Sequence, residues 1–89
     1  MTHFQGYTNF KTQAAHDTTN AVDRQGNTRP FVAFIPDTNG TAVVVNPDST
    51  PTTNAIPVLA GHIYPFSGVR IKATGTDSTN YTAIFNERL

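Results

Sequence analysis

The chain has 89 residues, no cysteine, six basic and six acidic side chains, and a formal net charge of zero. This is one domain near the lower limit of what a single hydrophobic core can hold. With no disulfide or thiolate metal site to brace it, partner subunits are the expected source of extra stability. Nucleic-acid binders draw affinity from a basic excess that is missing here, and no apolar run approaches the ~18 residues of a transmembrane helix; neither nucleic acid nor membrane is expected as a partner.

Only 13% of the residues are charged. Weak self-repulsion protects a freely diffusing protein poorly and suits one that stays docked in an assembly. The N-terminal MTHFQGYTNF lacks the charged-then-apolar layout of a secretory signal.

Composition divides the chain near Pro30. The first 30 residues hold 8 of the 33 apolar residues, and Val22 is the only branched aliphatic among them. Thr, Asn, Gln and Gly dominate there and favour turns and extended backbone over helix. A helix over Lys11–Asp17 would be too short to stand alone. Residues 1–30 therefore read as an extended N-terminal arm and 31–89 as a β-domain. Phe4, Tyr7 and Phe10, spaced by three, either cover the arm's own domain or anchor the arm on a neighbouring subunit, aromatics being favoured at interfaces.

From Phe31 the chain reads as strands. FVAFIP (31–36) is an apolar run of β-formers closed by proline, as expected of a strand buried on both faces. Asn39-Gly40 then predicts a hairpin to TAVVVN (41–46), since both turn positions tolerate positive φ. NPDSTPTTN (46–54) is a loop by composition. AIPVLA (55–60) is a weaker strand, because Pro57 cannot donate to a ladder and implies an edge or a kink. Gly61-His62 turns the chain, and Pro65 interrupts Ile63–Phe66. VRIKAT (69–74) alternates, with Val69, Ile71 and Ala73 toward the core and Arg70 and Lys72 toward solvent. TGTDST (74–79) is a turn, and YTAIFN (81–86) closes the sheet with Tyr81, Ala83 and Phe85 on one face. About five short strands with frequent turns predict an all-β fold, a small antiparallel sandwich or barrel.

Catalytic, cofactor and metal signatures are not found. Ser67, in Phe-Ser-Gly, lacks a nucleophile elbow and reads as a turn residue. His16-Asp17 lies in an arm where neighbouring side chains point apart, and no nucleophile accompanies it. Asp37, Asp48 and Asp77 sit in turn contexts that need Asp for local backbone bonds. His62 reads as a turn histidine. Asp37-Thr38-Asn39-Gly40 lacks the alternating ligands and terminal Glu of a calcium loop, and the glycine and hydroxyls around Gly75 have no following helix or lysine to cradle a phosphate. Tyr7, Tyr64 and Tyr81 would stack on sugars if exposed, although Tyr64 and Tyr81 fall in predicted strands where packing is the ordinary fate.

The run VLAGHIYPFSGVRIKATGTDSTNYTAIF (58–85) carries Ala60-Gly61, Tyr64-Pro65, Val69-Arg70-Ile71, Ala73-Thr74-Gly75-Thr76 and Ala83-Ile84-Phe85. In this order the chain resembles the ending of a class of small bacteriophage virion structural proteins, and Pro47-Asp48-Ser49-Thr50 is similar to a segment nearer their start. The resemblance implies a capsid decoration (cement) protein, or else a head-spike base or head–tail accessory. It brings no catalytic residue. Expected partners are the major capsid protein or other virion proteins together with further copies of the chain, in closed symmetry such as a trimer. The implied mechanism is a clamp: the β-domain sits between coat subunits while residues 1–30 order on a neighbour. A free-standing receptor- or carbohydrate-binding module is the rival expectation, with a small hydrolase or enzyme inhibitor behind it.

Overall fold

A computed structural model describes residues 9–47 and 53–86. They form six strands: β1 (Phe10–Ala14), β2 (Ala33–Pro36), β3 (Gly40–Val45), β4 (Thr53–Val58), β5 (Arg70–Lys72) and β6 (Asn80–Ile84). Two antiparallel sheets result, one ordered β1-β6-β2 and the other β4-β3-β5. The all-β class expected from the sequence is what the chain adopts.

Each sheet places a strand of high β-propensity in its centre. β3 is GTAVVV, and its Val43 and Val44 face Lys72 and Ile71 across β5 and Ala55 and Asn54 across β4. β6 pairs Ala83 with both Lys11 and Phe34. Its alternation is as expected: Tyr81, Ala83 and Phe85 are buried together. The ring of Tyr81 and those of Phe31 and Phe34 make one aromatic cluster. Phe31 meets Phe34 at 6.0 Å and Tyr81 at 5.9 Å, both edge-on, while Tyr64 stacks on Phe34 at 5.6 Å. Edge-to-face contacts of this kind add about 0.5–1.5 kcal/mol beyond the buried area. Burial pushes the Tyr81 hydroxyl up to about 12, as desolvation of a phenolate requires.

Two irregular segments join the sheets and each covers one edge, β5 in one sheet and β2 in the other. Ala15 donates to the Thr79 carbonyl in the first sheet, and the next residues donate to β5 and its approach, His16 to Ile71 and Ala21 to Val69. Residues 61–68 run along the outer side of β2. Gly61 donates to Pro36, and Phe34 exchanges both backbone bonds with Tyr64, as Phe31 does with Gly68. Val69 then donates to Val45 and carries the chain into the second sheet.

Three expectations are corrected. The division at Pro30 fails for the described part of the arm: β1 pairs along its length with β6, and Ala21 belongs to the core. The physical reason is side-chain amide chemistry. Buried Gln13 donates Nε2–H to the Val22 carbonyl at 2.6 Å and accepts from the Val22 N–H at 3.4 Å, so a polar segment docks without branched aliphatics. The Asn39-Gly40 turn does not make a hairpin either, since β2 and β3 lie in different sheets. Asn39 Oδ1 accepts the Ala60 N–H and Thr38 N–H donates to Ser78 Oγ, so the turn is tied sideways and the chain crosses over. Gly40 (φ +140°) is required there, because a Cβ would overlap the Asp77 carboxylate. Ala73, finally, is exposed; of the expected inward trio, Ile71 alone is fully buried.

Candidate docking surface

The connection from β4 to β5 is built almost entirely from fixed backbone. Leu59 N–H donates to Tyr64 Oη at 2.7 Å and Ala60 N–H to Asn39 Oδ1 at 2.7 Å. His62 N–H closes a turn on the Leu59 carbonyl, with Gly61 at φ +80°. Phe66 N–H donates to the Tyr64 carbonyl at 2.9 Å. Anchored between Phe34 and these bonds, the segment still leaves three large apolar side chains half in water: Leu59 at 52%, Ile63 at 49% and Phe66 at 47% exposure.

Phe66 also borders an open groove of about 400 Å³ lined by Val44, Asn46, Asn54, Ile56 and Ser67. No charged side chain lines it. Asn54 Nδ2 donates to Asn46 Oδ1 at 2.9 Å across its floor. Beside the groove runs β4, whose Pro57 lies on a sheet edge as the sequence predicts.

Other candidates from the sequence are dispersed. Of the aromatic trio, Phe10 opens β1 with half its surface exposed; Phe4 and Tyr7 lie outside the described residues. His16 and Asp17 are not brought together as a base and its orienting acid. His16 Nδ1 accepts the N–H groups of Thr18 and Thr19 at 3.1 and 3.0 Å. The Asp17 carboxylate takes the Thr74 N–H at 2.9 Å and the Thr74 hydroxyl at 2.8 Å. Those two bonds hold it below the usual carboxylate range.

Asp77 Oδ2 accepts the Thr41 N–H at 2.7 Å, and Asp37 Oδ1 accepts the Thr38 hydroxyl at 3.0 Å; Asp48 is outside the described residues. Thr76 Oγ1, in the glycine-hydroxyl turn, accepts the Val43 N–H at 2.8 Å. Ser67 sits on the groove and His62 on an exposed turn. Tyr81 is in the core and Tyr64 packs against it with its hydroxyl engaged, so neither offers a sugar-stacking face; Tyr7 is outside the described residues. Among the described residues no group of three or more His, Asp or Glu side chains could hold a metal.

Sequence reasoning missed the Leu59, Ile63 and Phe66 surface. Its signal is present, since large apolar residues recur in a stretch punctuated by Gly61 and Pro65. Such punctuation prevents a regular strand that would bury them on one face.

Comparison of the chain with protein-family models, with curated proteins and with solved structures gave no match.

Proposed function

We propose that this chain is a virion structural protein of the decoration or cement type, which docks on neighbouring coat subunits through the pinned segment 59–68. The observation that carries the docking is the exposure of Leu59, Ile63 and Phe66 on a backbone already held by hydrogen bonds. Single exposed apolar residues are ordinary on a protein surface. Three of them on one hydrogen-bonded connection, with Phe66 beside a groove without charge, present apolar area whose backbone has little conformational entropy left to lose on binding. The virion context rests on the resemblance of residues 58–85 and on the neutral, cysteine-free composition. Binding only the folded chain, the coat would stabilise it by mass action, and the chain would in turn hold adjacent coat subunits together.

Quantitative mass spectrometry of purified virus particles tests this by counting copies per major coat subunit. A ratio near one, or a fixed simple fraction spread over the shell, is the expected result. A few copies per particle would move the chain to a spike, neck or tail, and its absence from particles would refute the proposal.

A further inference from the structure

β5 is three residues long, and the side of it away from β3 is covered by a strap of residues 16–21. Both ends of the strap donate into β5 and its approach, His16 N–H to the Ile71 carbonyl at 2.9 Å and Ala21 N–H to the Val69 carbonyl at 2.8 Å. Between these bonds the chain bends at Asp17 and Thr18. The His16 ring holds that bend. Its Nδ1 accepts the Thr18 N–H at 3.1 Å and the Thr19 N–H at 3.0 Å, and the Thr18 hydroxyl lies 3.4 Å away. Asn and Asp hold such turns with a side-chain oxygen. A ring nitrogen does so only while it keeps its lone pair, so the folded bend calls for a neutral imidazole with its proton on Nε2.

The charged groups of the strap and of β5 keep their state over the range in which imidazoles titrate, about pH 5–8. Asp17 takes the Thr74 N–H and hydroxyl on its carboxylate, which hold it below the usual carboxylate range, so it stays ionised. Arg70 Nε donates to the Asp17 carbonyl at 2.9 Å and Nη1 to Asn20 Oδ1 at 2.8 Å. Lys72, on the same strand, acts on Asp17 through its charge. Both cations remain charged throughout. In the strap and β5, only the His16 ring changes state there.

We infer that His16 is a proton-sensitive latch on the strap that covers β5. In the neutral ring Nδ1 accepts and the strap is folded. In the imidazolium Nδ1 carries a proton, becomes a donor and releases the Thr18 and Thr19 N–H groups. The strap then loosens between its ends, while Arg70 and the Asp17 carboxylate still tether it and both sheets stay formed. Local opening of this kind belongs to segments with few buried contacts, and residues 16–19 are all exposed. Mild acid thereby weakens the cover on one edge of the β4-β3-β5 sheet, and an uncovered edge is a template for pairing. The latch is independent of the virion assignment, and its test needs no particle.

Amide solvent exchange measured by NMR on the purified full chain, at pH 7.5 and 5.0 and corrected for the pH dependence of free-amide exchange, tests the latch. Protection of Thr18 and Thr19 should fall several-fold in acid and that of Ala21 by a smaller factor, while Ala83, in the centre of its sheet, keeps its protection. His16→Asn supplies a side-chain oxygen that does not titrate, so in that variant Thr18 and Thr19 should stay protected at both pH values. His62→Asn removes the other described histidine and should leave the acid response intact. Thr18 and Thr19 amides indifferent to pH, an Ala21 amide that does not follow them, an acid response that survives His16→Asn, or one that disappears with His62→Asn would overturn the inference.

Discussion

Gly68 is where one methyl group tests the packing between the two sheets most sharply. Its backbone exchanges bonds with Phe31, and it does not occupy the positive-φ region, so alanine meets no conformational barrier there. Space is the obstacle. A Cβ at this position would lie 2.7 Å from Val44 Cγ1, 2.9 Å from Phe31 Cζ and 3.0 Å from the Val45 carbonyl oxygen. Restricting the unfolded chain favours Gly68→Ala by about 0.4–1 kcal/mol, whereas overpacking a filled core opposes it by about 1–3 kcal/mol. The net expectation is a loss of about 1–2 kcal/mol, and for a domain of this size each kcal/mol lowers Tm by about 4–8 °C.

Urea denaturation, with the m-value checked for constancy, measures it. Val44→Ala should lose about 2 kcal/mol on its own, from transfer and cavity effects. In the double variant the nearest clash is gone, so the combined loss should fall about 1 kcal/mol short of the sum. The Phe31 and Val45 contacts would keep the relief incomplete. A stabilised Gly68→Ala protein, or strictly additive losses, would refute the close approach of residue 68 to β3.

Three further outcomes follow from the same structure. Gln13→Ala strips the buried partner from the Val22 backbone and should lose about 1–3 kcal/mol in urea denaturation, whereas a dispensable arm would lose nothing. Asp23 is buried, which by itself raises its pKa, but the Asn27 and Gln25 N–H groups and Arg29 outweigh that and hold it below its ordinary value. A carboxyl depressed in the folded state stabilises above its unfolded pKa, near 3.9, and that contribution is lost as pH falls through the lower folded value. Tm should therefore drop below about pH 4, and Asp23→Asn should flatten that acid limb; an unchanged limb would contradict the assignment. Ile63→Asp should alter stability by no more than about 0.5 kcal/mol, as surface changes do, yet deplete the chain from purified particles when counted by mass spectrometry.

Fold class was legible because period-two patterns in Val69–Lys72 and Tyr81–Phe85 are local, and so was the edge position of Pro57, which a missing N–H dictates. What escaped was contact between distant segments. Nothing local distinguishes Asn39-Gly40 as a crossover from Asn39-Gly40 as a hairpin. The difference lies in Asn39 reaching Ala60 and Thr38 reaching Ser78. β1 escaped because FKTQA carries almost no apolar signal, and its strand is secured by β6 and by the Gln13 amide. The docking surface was hidden for a related reason. Leu59, Ile63 and Phe66 look like core residues in sequence, and only the bonds that fix Tyr64 and Gly61 against β2 show that they are left outside.

Hydroxyl-radical footprinting of the chain, free and in purified particles, tests the docking segment most directly, because it reads side-chain exposure residue by residue. Oxidation of Leu59, Ile63 and Phe66 should fall steeply on assembly, while exposed residues remote from the segment keep their reactivity. Equal oxidation of these three side chains in both states, with protection appearing elsewhere on the chain, would contradict the account.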